Sequence, residues 1–195
     1  MRREKLRSLL TLTGAEMNAK STPTRYGNVA IALHWLTAVL IAIQLTGGFI
    51  AAASGAPAKA SILRFHAPLG IVILTLSLIW IAWRIFADPR PTPAAGQSSL
   101  QIRAAYVVHV LLYVAIVGLA ISGIALLAVS GAAPALFGGG KEALPEFSTF
   151  PPFYGHVALA GMLVILLFGH IGAALHHQFI RRDRILARMG IGGAI

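Results

Sequence analysis

Four long apolar segments alternate with short, more polar stretches along the chain. The apolar segments cover residues 28–53, 62–86, 103–130 and 153–179, and the stretches between them are rich in glycine, proline and serine. Each segment exceeds the roughly 20 residues that a helix needs to cross the hydrocarbon core of a bilayer. Because a chain inside a bilayer must satisfy its own backbone hydrogen bonds, these segments are predicted to be helices. The pattern therefore predicts an all-α membrane four-helix bundle.

The composition agrees with a membrane location. Apolar residues make up 57% of the chain, charged residues only 11%, and the charges cluster at the ends of the apolar segments. This distribution is typical of membrane proteins, because a charge near the bilayer centre costs a few kcal/mol or more. In a soluble protein the net charge of +10 would suggest a nucleic-acid partner. Here we attribute the positive charge to the orientation of a protein embedded in lipid. We expect no nucleic-acid partner.

The positions of lysine and arginine predict the orientation of the bundle. Of the 16 basic residues, 13 lie in the N-terminal tail, the second connection with its flanks and the C-terminal tail. The first and third connections together carry the other 3. Both termini are therefore predicted to be cytoplasmic. The first apolar segment is longer than the core of a signal peptide and is expected to remain as an anchor.

The chain divides into a basic N-terminal tail at 1–24, a transmembrane domain at 25–189 and a short C-terminal tail at 190–195. Met17 offers an alternative start, and we assign no function to residues 1–20. Cysteine is absent, which excludes disulfides, zinc–thiolate sites, iron–sulfur clusters and covalently attached c-type haem.

All seven histidines lie within an apolar segment or at its end. Such residues are functional candidates, although one interhelical hydrogen bond would explain a single buried histidine more simply. His156 and His170 lie 14 residues apart in the fourth segment. On a helix they are separated by about 21 Å and lie within about 40° of the same face. One face of the fourth helix therefore presents an imidazole near each side of the membrane.

Two further histidines lie at matching depths in the first two segments. His34 lies about two turns from the cytoplasmic end of the first helix, and His66 about one turn from the outer end of the second. We therefore predict the pairs His34–His170 and His66–His156. Two facing imidazoles are the ligand set of a six-coordinate haem b, which is suited to electron transfer. Two such haems would form an electron path across the membrane.

A bare metal ion is the alternative occupant of these pairs. Zinc and copper accept imidazole, but two histidines with no carboxylate or thiolate nearby make an incomplete zinc site. Transporters of protons or metals usually keep carboxylates within the membrane. A non-haem metal transporter is therefore the less favoured hypothesis.

Other polar residues are candidates for supporting roles. His109 is expected near the inner pair, where it could bond a haem propionate, line a quinone pocket or make an interhelical hydrogen bond. His176 and His177 could relay protons or contact lipid headgroups. Arg64 and Lys59, on the outer side, could bind a haem propionate or a lipid phosphate.

The sequence resembles the bacterial cytochrome b561 family, which also includes the b-type cytochrome subunits of nickel hydrogenases. The resemblance extends from about Thr24 to Met189. The fourth segment is its most specific part, because two histidines 14 residues apart precede a histidine pair and a basic tail. The stretches that carry it are RYGNVAIALHWL, RFHAPLGIVIL, HVLLYVAIVGLAISG and GHVALAGMLVILLFGHIGAALHHQFIRRDRILARM.

This resemblance implies two haems b held by the same histidine pairs, in a multi-pass protein of the bacterial cytoplasmic (inner) membrane that exchanges electrons with ubiquinone. One member of the family is a superoxide oxidase, which passes electrons from superoxide outside to ubiquinone. Lys59 and Arg64, with Lys141, would attract a small anion such as superoxide to the outer face. The alternative within the same family is a cytochrome b subunit that relays electrons from a partner dehydrogenase or hydrogenase.

Overall fold

A computed structural model describes residues 19–88, 90–94, 96–138 and 143–192. Most of the basic N-terminal tail, Met17 and Lys141 lie outside the described residues. Four long helices dominate the described chain, and all four are long and apolar enough to cross a membrane. They are α1 (Asn28–Ala53), α2 (Ala56–Phe86), α3 (Ser99–Ser130) and α4 (Pro151–Leu175), the last continuing as a π-helical turn over His176–Arg181. No strand is present in the described ranges.

Three helices begin earlier than predicted, and for α4 the difference is only two residues. The prediction that α2 starts at residue 62 is wrong by six residues, because Gly55 caps a helix that starts at Ala56 and has proline in its first turn. Proline is well suited to that position, where its missing N–H needs no partner. The α3 helix starts at Ser99 rather than 103, because the Ser98 and Gln101 side chains form a capping box there. At its other end, Gly131 ends α3 in the left-handed conformation that glycine adopts most easily.

The bundle is built from two helical hairpins. The α1 helix packs most extensively on α2 and α3 on α4, while α1 and α4 make little direct backbone contact. One buried apolar residue from each helix forms the middle layer of the core: Ile41, Ile73, Ala115 and Leu163. The outer surface is strongly apolar, since Phe65, Phe86 and Phe168 are each at least 75% exposed. Such a surface fits contact with lipid rather than water.

One end of the bundle, where the described residues begin at 19 and stop at 192, carries the terminal segments and is closed by a polar network. Asp88 is buried and accepts hydrogen bonds from the Ser21 backbone N–H (2.6 Å), the Ser21 hydroxyl (2.8 Å) and Arg84 (2.9 Å). Burial raises the pKa of the Asp88 carboxyl, but these hydrogen bonds and the Arg84 charge outweigh it and hold that pKa below its usual value. The segment before α1 is therefore fixed to the end of α2.

The C-terminal segment joins the same end. The Tyr26 N–H donates to the Arg188 carbonyl (3.1 Å), and the Trp35 indole donates to the Met189 carbonyl (3.0 Å). Arg188 in turn donates to the Thr92 carbonyl in the α2–α3 connection (2.8 Å). Both terminal segments and this connection thus lie together, as an up-and-down bundle requires. Which side of the membrane they face stays a prediction.

Candidate haem-binding sites

The structure brings His66 of α2 and His156 of α4 face to face near the end of the bundle opposite the termini. Their ring centres are 6.2 Å apart and the ring planes lie at 64°. The two residues sit on opposite hairpins, where the helices leave space between them. We call this the outer pair.

His34 of α1 and His170 of α4 face each other nearer the end that carries the termini. Their ring centres are also 6.2 Å apart, with the planes at 59°. We call this the inner pair. The structure therefore brings together both pairs that the sequence predicted, one at each level of α4.

The ring spacing suits one metal ion between two imidazoles. A metal–imidazole bond is about 2 Å long, so two ligand nitrogens on opposite sides of the metal lie about 4 Å apart. The centre of each imidazole ring lies about 1 Å behind its ligand nitrogen, so the two ring centres are separated by about 6 Å. Two imidazoles fill only the axial positions of a six-coordinate iron, and a porphyrin supplies the remaining four. Within the described ranges, no group of three or more histidine, aspartate or glutamate side chains could hold a bare ion.

The outer pair is set against glycines that leave room for the rings. A Cβ atom on Gly48 would lie 3.1 Å from His66 Cε1, and one on Gly123 would lie 3.2 Å from His156 Cε1. Both distances are shorter than ordinary van der Waals contact. Gly48 on α1 and Gly123 on α3 therefore allow each imidazole to lie close to a neighbouring helix backbone.

A hydrogen-bond chain orients His156. Its Nδ1 lies 3.0 Å from the Ser122 hydroxyl oxygen, and that hydroxyl donates to the Leu119 carbonyl (2.9 Å). With the Ser122 proton on the Leu119 carbonyl, the Ser122 oxygen is free to accept from the Nδ1–H tautomer of His156. The His156 Nε2 is then left with a free lone pair. Metal-bound histidines commonly have their second nitrogen engaged in this manner.

A cavity of about 440 Å³ surrounds the outer pair. This volume falls within the range of small-molecule and cofactor sites. Its walls are largely apolar and come from all four helices, and its polar lining includes Gln44, Lys59, Glu146 and both outer histidines. The close approach of both imidazoles to Gly48 and Gly123, the ring spacing and the cavity volume together fit a porphyrin at this level.

The cationic candidates of the outer end differ in position. Lys59 lines the cavity together with Glu146, whereas Arg64 does not. Hydrogen bonds from the Ser148 side chain and backbone, with a smaller contribution from the Lys59 charge, lower the pKa of the Glu146 carboxyl. The Nε of Arg64 is buried and has no hydrogen-bond partner among the described residues. A buried guanidinium N–H of this kind is suited to an anionic acceptor.

Aromatic rings and a third histidine surround the inner pair. The His34 ring lies 5.1 Å from Trp35 and 5.5 Å from Trp80, in both cases edge to face. The His109 ring lies 5.2 Å from His170, and its Nδ1 lies 2.6 Å from the Ala105 carbonyl. Since a carbonyl only accepts, the His109 Nδ1 carries a proton and donates to it.

The two remaining histidines lie in the π-helical turn that follows α4. His177 Nδ1 pairs with the Asp183 carboxylate at 2.5 Å, while the His176 side chain is exposed. Of the arginines nearby, Arg181 donates to the Gly96 carbonyl (3.0 Å) rather than to either histidine pair. These contacts hold the C-terminal segment against the α2–α3 connection.

The middle layer of the core separates the two levels. Ile41 follows His34 by seven residues, Ile73 follows His66 by seven, and Leu163 is seven residues from both His156 and His170. A spacing of seven keeps residues on nearly the same helix face, about 10 Å apart along the axis. The faces that carry the histidines therefore meet in an apolar layer between them.

Sequence reasoning did not find Ser122 or Trp80. Ser122 is the only aliphatic hydroxyl between His109 and Val129 on α3, and this isolation within an apolar stretch could have marked it. Trp80 was less conspicuous, because tryptophans near the membrane boundary are usually interfacial anchors. Its contact with His34 depends on how α2 is rotated about its axis.

The chain is similar to proteins of one known family. The sequence profile of prokaryotic cytochrome b561 matches residues 25–192. Cytochrome b561 homolog 2 of Escherichia coli K12 is 31% identical over 181 residues, which cover 89% of this chain and 95% of that protein. Cytochrome b561 homolog 1 of the same organism is 29% identical over 174 residues, covering 85% of this chain and 96% of that protein. A protein of Yersinia pestis named "Probable superoxide oxidase CybB" is 28% identical over 174 residues, covering 85% and 95%.

The match spans all four long helices and both histidine pairs. The chain therefore belongs to the prokaryotic cytochrome b561 family of multi-pass membrane electron-transfer proteins, which implies b-type haem.

Proposed function

We propose that this protein holds two haems b and passes electrons from superoxide at the outer face to ubiquinone in the bacterial inner membrane. The observation that carries the proposal is the pair of facing imidazoles at each of two levels, with ring centres 6.2 Å apart at both. His34 and His170 would hold the inner haem, and His66 and His156 the outer one. When bound, the haems supply one-electron transfer between the two levels.

The outer end offers a place for a small anion. Lys59 lines the outer cavity and Arg64 lies one turn further along α2, two residues before His66. Positive charge at the mouth of a low-dielectric cavity raises the local concentration of anions and their rate of arrival. Glu146 at the same mouth opposes this attraction, so Lys59 must act at short range. The name of the Yersinia pestis relative supports superoxide as the donor.

Arg64 has a second role in this proposal. In this proposal its buried Nε donates to a propionate of the outer haem, which would satisfy that N–H. The propionate would then supply both the hydrogen-bond acceptor and the negative charge that the buried Arg64 guanidinium needs. Superoxide attraction would fall mainly to Lys59, which faces the cavity.

The overall reaction balances with ubiquinone as acceptor. Two superoxide anions each lose one electron and leave as dioxygen, and one ubiquinone takes two electrons and two protons to form ubiquinol. The exposed His109 ring, beside His170, lies where a lipid-soluble quinone could approach the inner level from the bilayer. Cytoplasmic termini, as the basic residues predict, would place this level nearer the cytoplasm.

The test uses purified protein in vesicles loaded with ubiquinone. A pulse of superoxide should reduce the haems, as seen in their absorption bands during the pulse. Ubiquinol should then form, with dioxygen as the other product. Vesicles with the haem-free His66→Ala, His34→Ala double variant give the background rate. A haem-containing wild-type protein that forms ubiquinol no faster than this background would reject the superoxide reaction. That outcome would favour the electron-relay subunit instead.

A further inference from the structure

The hydrogen bond between Ser122 and His156 couples α3 to the outer level although α3 contributes no member of either pair. Ser122 precedes Gly123, the residue whose missing side chain makes room for the same imidazole. One turn of α3 therefore both leaves space for the His156 ring and binds its Nδ1 (3.0 Å). The Gly123 backbone limits the position of the His156 ring, and the Ser122 hydrogen bond limits its rotation.

The direction of this hydrogen bond follows from the atoms that surround it. With the Ser122 proton on the Leu119 carbonyl (2.9 Å), the Ser122 oxygen accepts from the imidazole. An iron ligand at the His156 Nε2 requires the same direction, because a neutral imidazole then carries its proton on Nδ1. The partner imidazole differs, since the buried His66 Nδ1 has no hydrogen-bond partner in the part of the chain that the structure describes. His156 is thus the member of the outer pair whose tautomer the protein sets.

The geometry points to Ser122 as a positioning residue that fixes the tautomer of His156 and lowers the reduction potential of the outer haem. An imidazole that donates its second N–H is a more basic metal ligand. A more basic ligand stabilises the oxidised iron more than the reduced iron, and hydrogen bonding to an axial ligand is one of the levers by which proteins set haem potentials. This inference rests on the proposed haem at the outer pair.

A lower outer potential favours departure of an electron towards the inner level. Ser122 would then bias electron transfer inwards, in the direction that oxidation of superoxide at the outer face requires. The contribution is confined to the outer site, because Ser122 contacts no member of the inner pair. A substitution there should change one of two titration components and leave the other in place.

The experiment is a redox titration of the haem bands in purified holoprotein. The outer component is identified as the one that His66→Ala removes. In Ser122→Ala, the ratio of reduced to oxidised outer haem at the wild-type midpoint should rise several-fold; a tenfold rise corresponds to about 59 mV for a one-electron couple. Ser77→Ala, which removes a buried α2 hydroxyl that has no partner among the described residues, should titrate as wild type.

A matched pair separates the hydroxyl from side-chain shape. Threonine and valine have the same shape, and only threonine can accept the His156 N–H. Ser122→Thr should keep the wild-type midpoint of the outer component, and Ser122→Val should shift it as alanine does. Equal titrations of the threonine and valine variants, or an unshifted alanine variant, would overturn the role of Ser122. A wild-type protein without haem bands would instead refute the proposed function, before Ser122 is tested.

Discussion

The His109 ring lies 5.2 Å from the His170 ring, centre to centre, and meets it edge-on at 86°. This separation is shorter than the about 6 Å that two imidazoles on opposite sides of one metal require. His109 is therefore a neighbour of the inner pair and is too close to His170 to share an iron with it in this arrangement. His34, at 6.2 Å, has the required spacing.

The first prediction follows from this difference. His34→Ala should remove one of the two proposed haems, whereas His109→Ala should retain both, because it removes neither proposed ligand of the inner haem. Haem-to-protein ratios from pyridine haemochrome spectra would measure the result, with values near one and two respectively. A His109→Ala protein that lost a haem, beside a His34→Ala protein that kept both, would show that the inner pairing is wrong.

The glycine contacts predict a local effect at the outer level. In Gly123→Ala the new Cβ would meet His156 Cε1 at 3.2 Å, so the ring must shift by a few tenths of an ångström. We expect the haem-to-protein ratio to fall from about two towards one. Gly161→Ala is the matched control, because a Cβ on Gly161 of α4 meets nothing within 4 Å. Both changes raise helix propensity by a similar amount, so propensity cannot explain a difference between them.

Lys59 is predicted to control the arrival of superoxide. Lys59→Gln should lower the second-order rate of haem reduction by superoxide about threefold at low ionic strength, and the difference should shrink as salt is added. Stopped-flow or pulse-radiolysis traces would measure both rates. Lys20→Gln, at the opposite end of the bundle, should leave the rate unchanged. Equal loss of rate in both variants would assign the effect to overall charge rather than to the cavity.

Asp88 is predicted to stabilise the end of the bundle that carries the termini. Asp88→Asn removes the partner charge of Arg84 and weakens two bonds from Ser21, and should cost about 2 kcal/mol of unfolding free energy. Since the folded pKa of Asp88 lies below its unfolded value, this contribution is present above about pH 4 and is lost as the pH falls further. Thermal melts of holoprotein at pH 7 and at pH 3 would test this. Glu146→Gln, whose hydrogen bonds are local and exposed, should melt as wild type at pH 7.

The predicted orientation can be tested directly because the chain contains no cysteine. Ala143→Cys and Ser99→Cys place single exposed thiols at opposite ends of the bundle. In spheroplasts, whose inner membrane is intact, a membrane-impermeant maleimide should label Ala143→Cys. It should label Ser99→Cys only after the membrane is permeabilised. The reverse pattern would place both termini outside the cytoplasm.

The four helices and the two levels of histidines could be predicted because both depend on spacing along the chain. The lengths of the apolar segments predict the number of membrane-spanning helices. The spacing of 14 residues between His156 and His170 places both on one face of α4, at two depths in the membrane. The start of α2 was predicted wrongly, because residues 56–61 have the composition of a loop while Gly55 and the first-turn proline favour a helix. The contacts of Ser122 and Trp80 could not be predicted, because they depend on the rotation of α3 and α2 about their axes.

The layer formed by Ile41, Ile73, Ala115 and Leu163 has an electrical consequence. Its side chains offer no group that could carry a proton or coordinate an ion between the two levels. With the termini in the cytoplasm, each electron that the proposed reaction moves inwards would travel against an inside-negative membrane voltage, at about 2.3 kcal/mol per 100 mV for the full membrane thickness. Turnover would then charge the membrane like a capacitor, and a fully energised cell would slow the protein without any regulatory ligand.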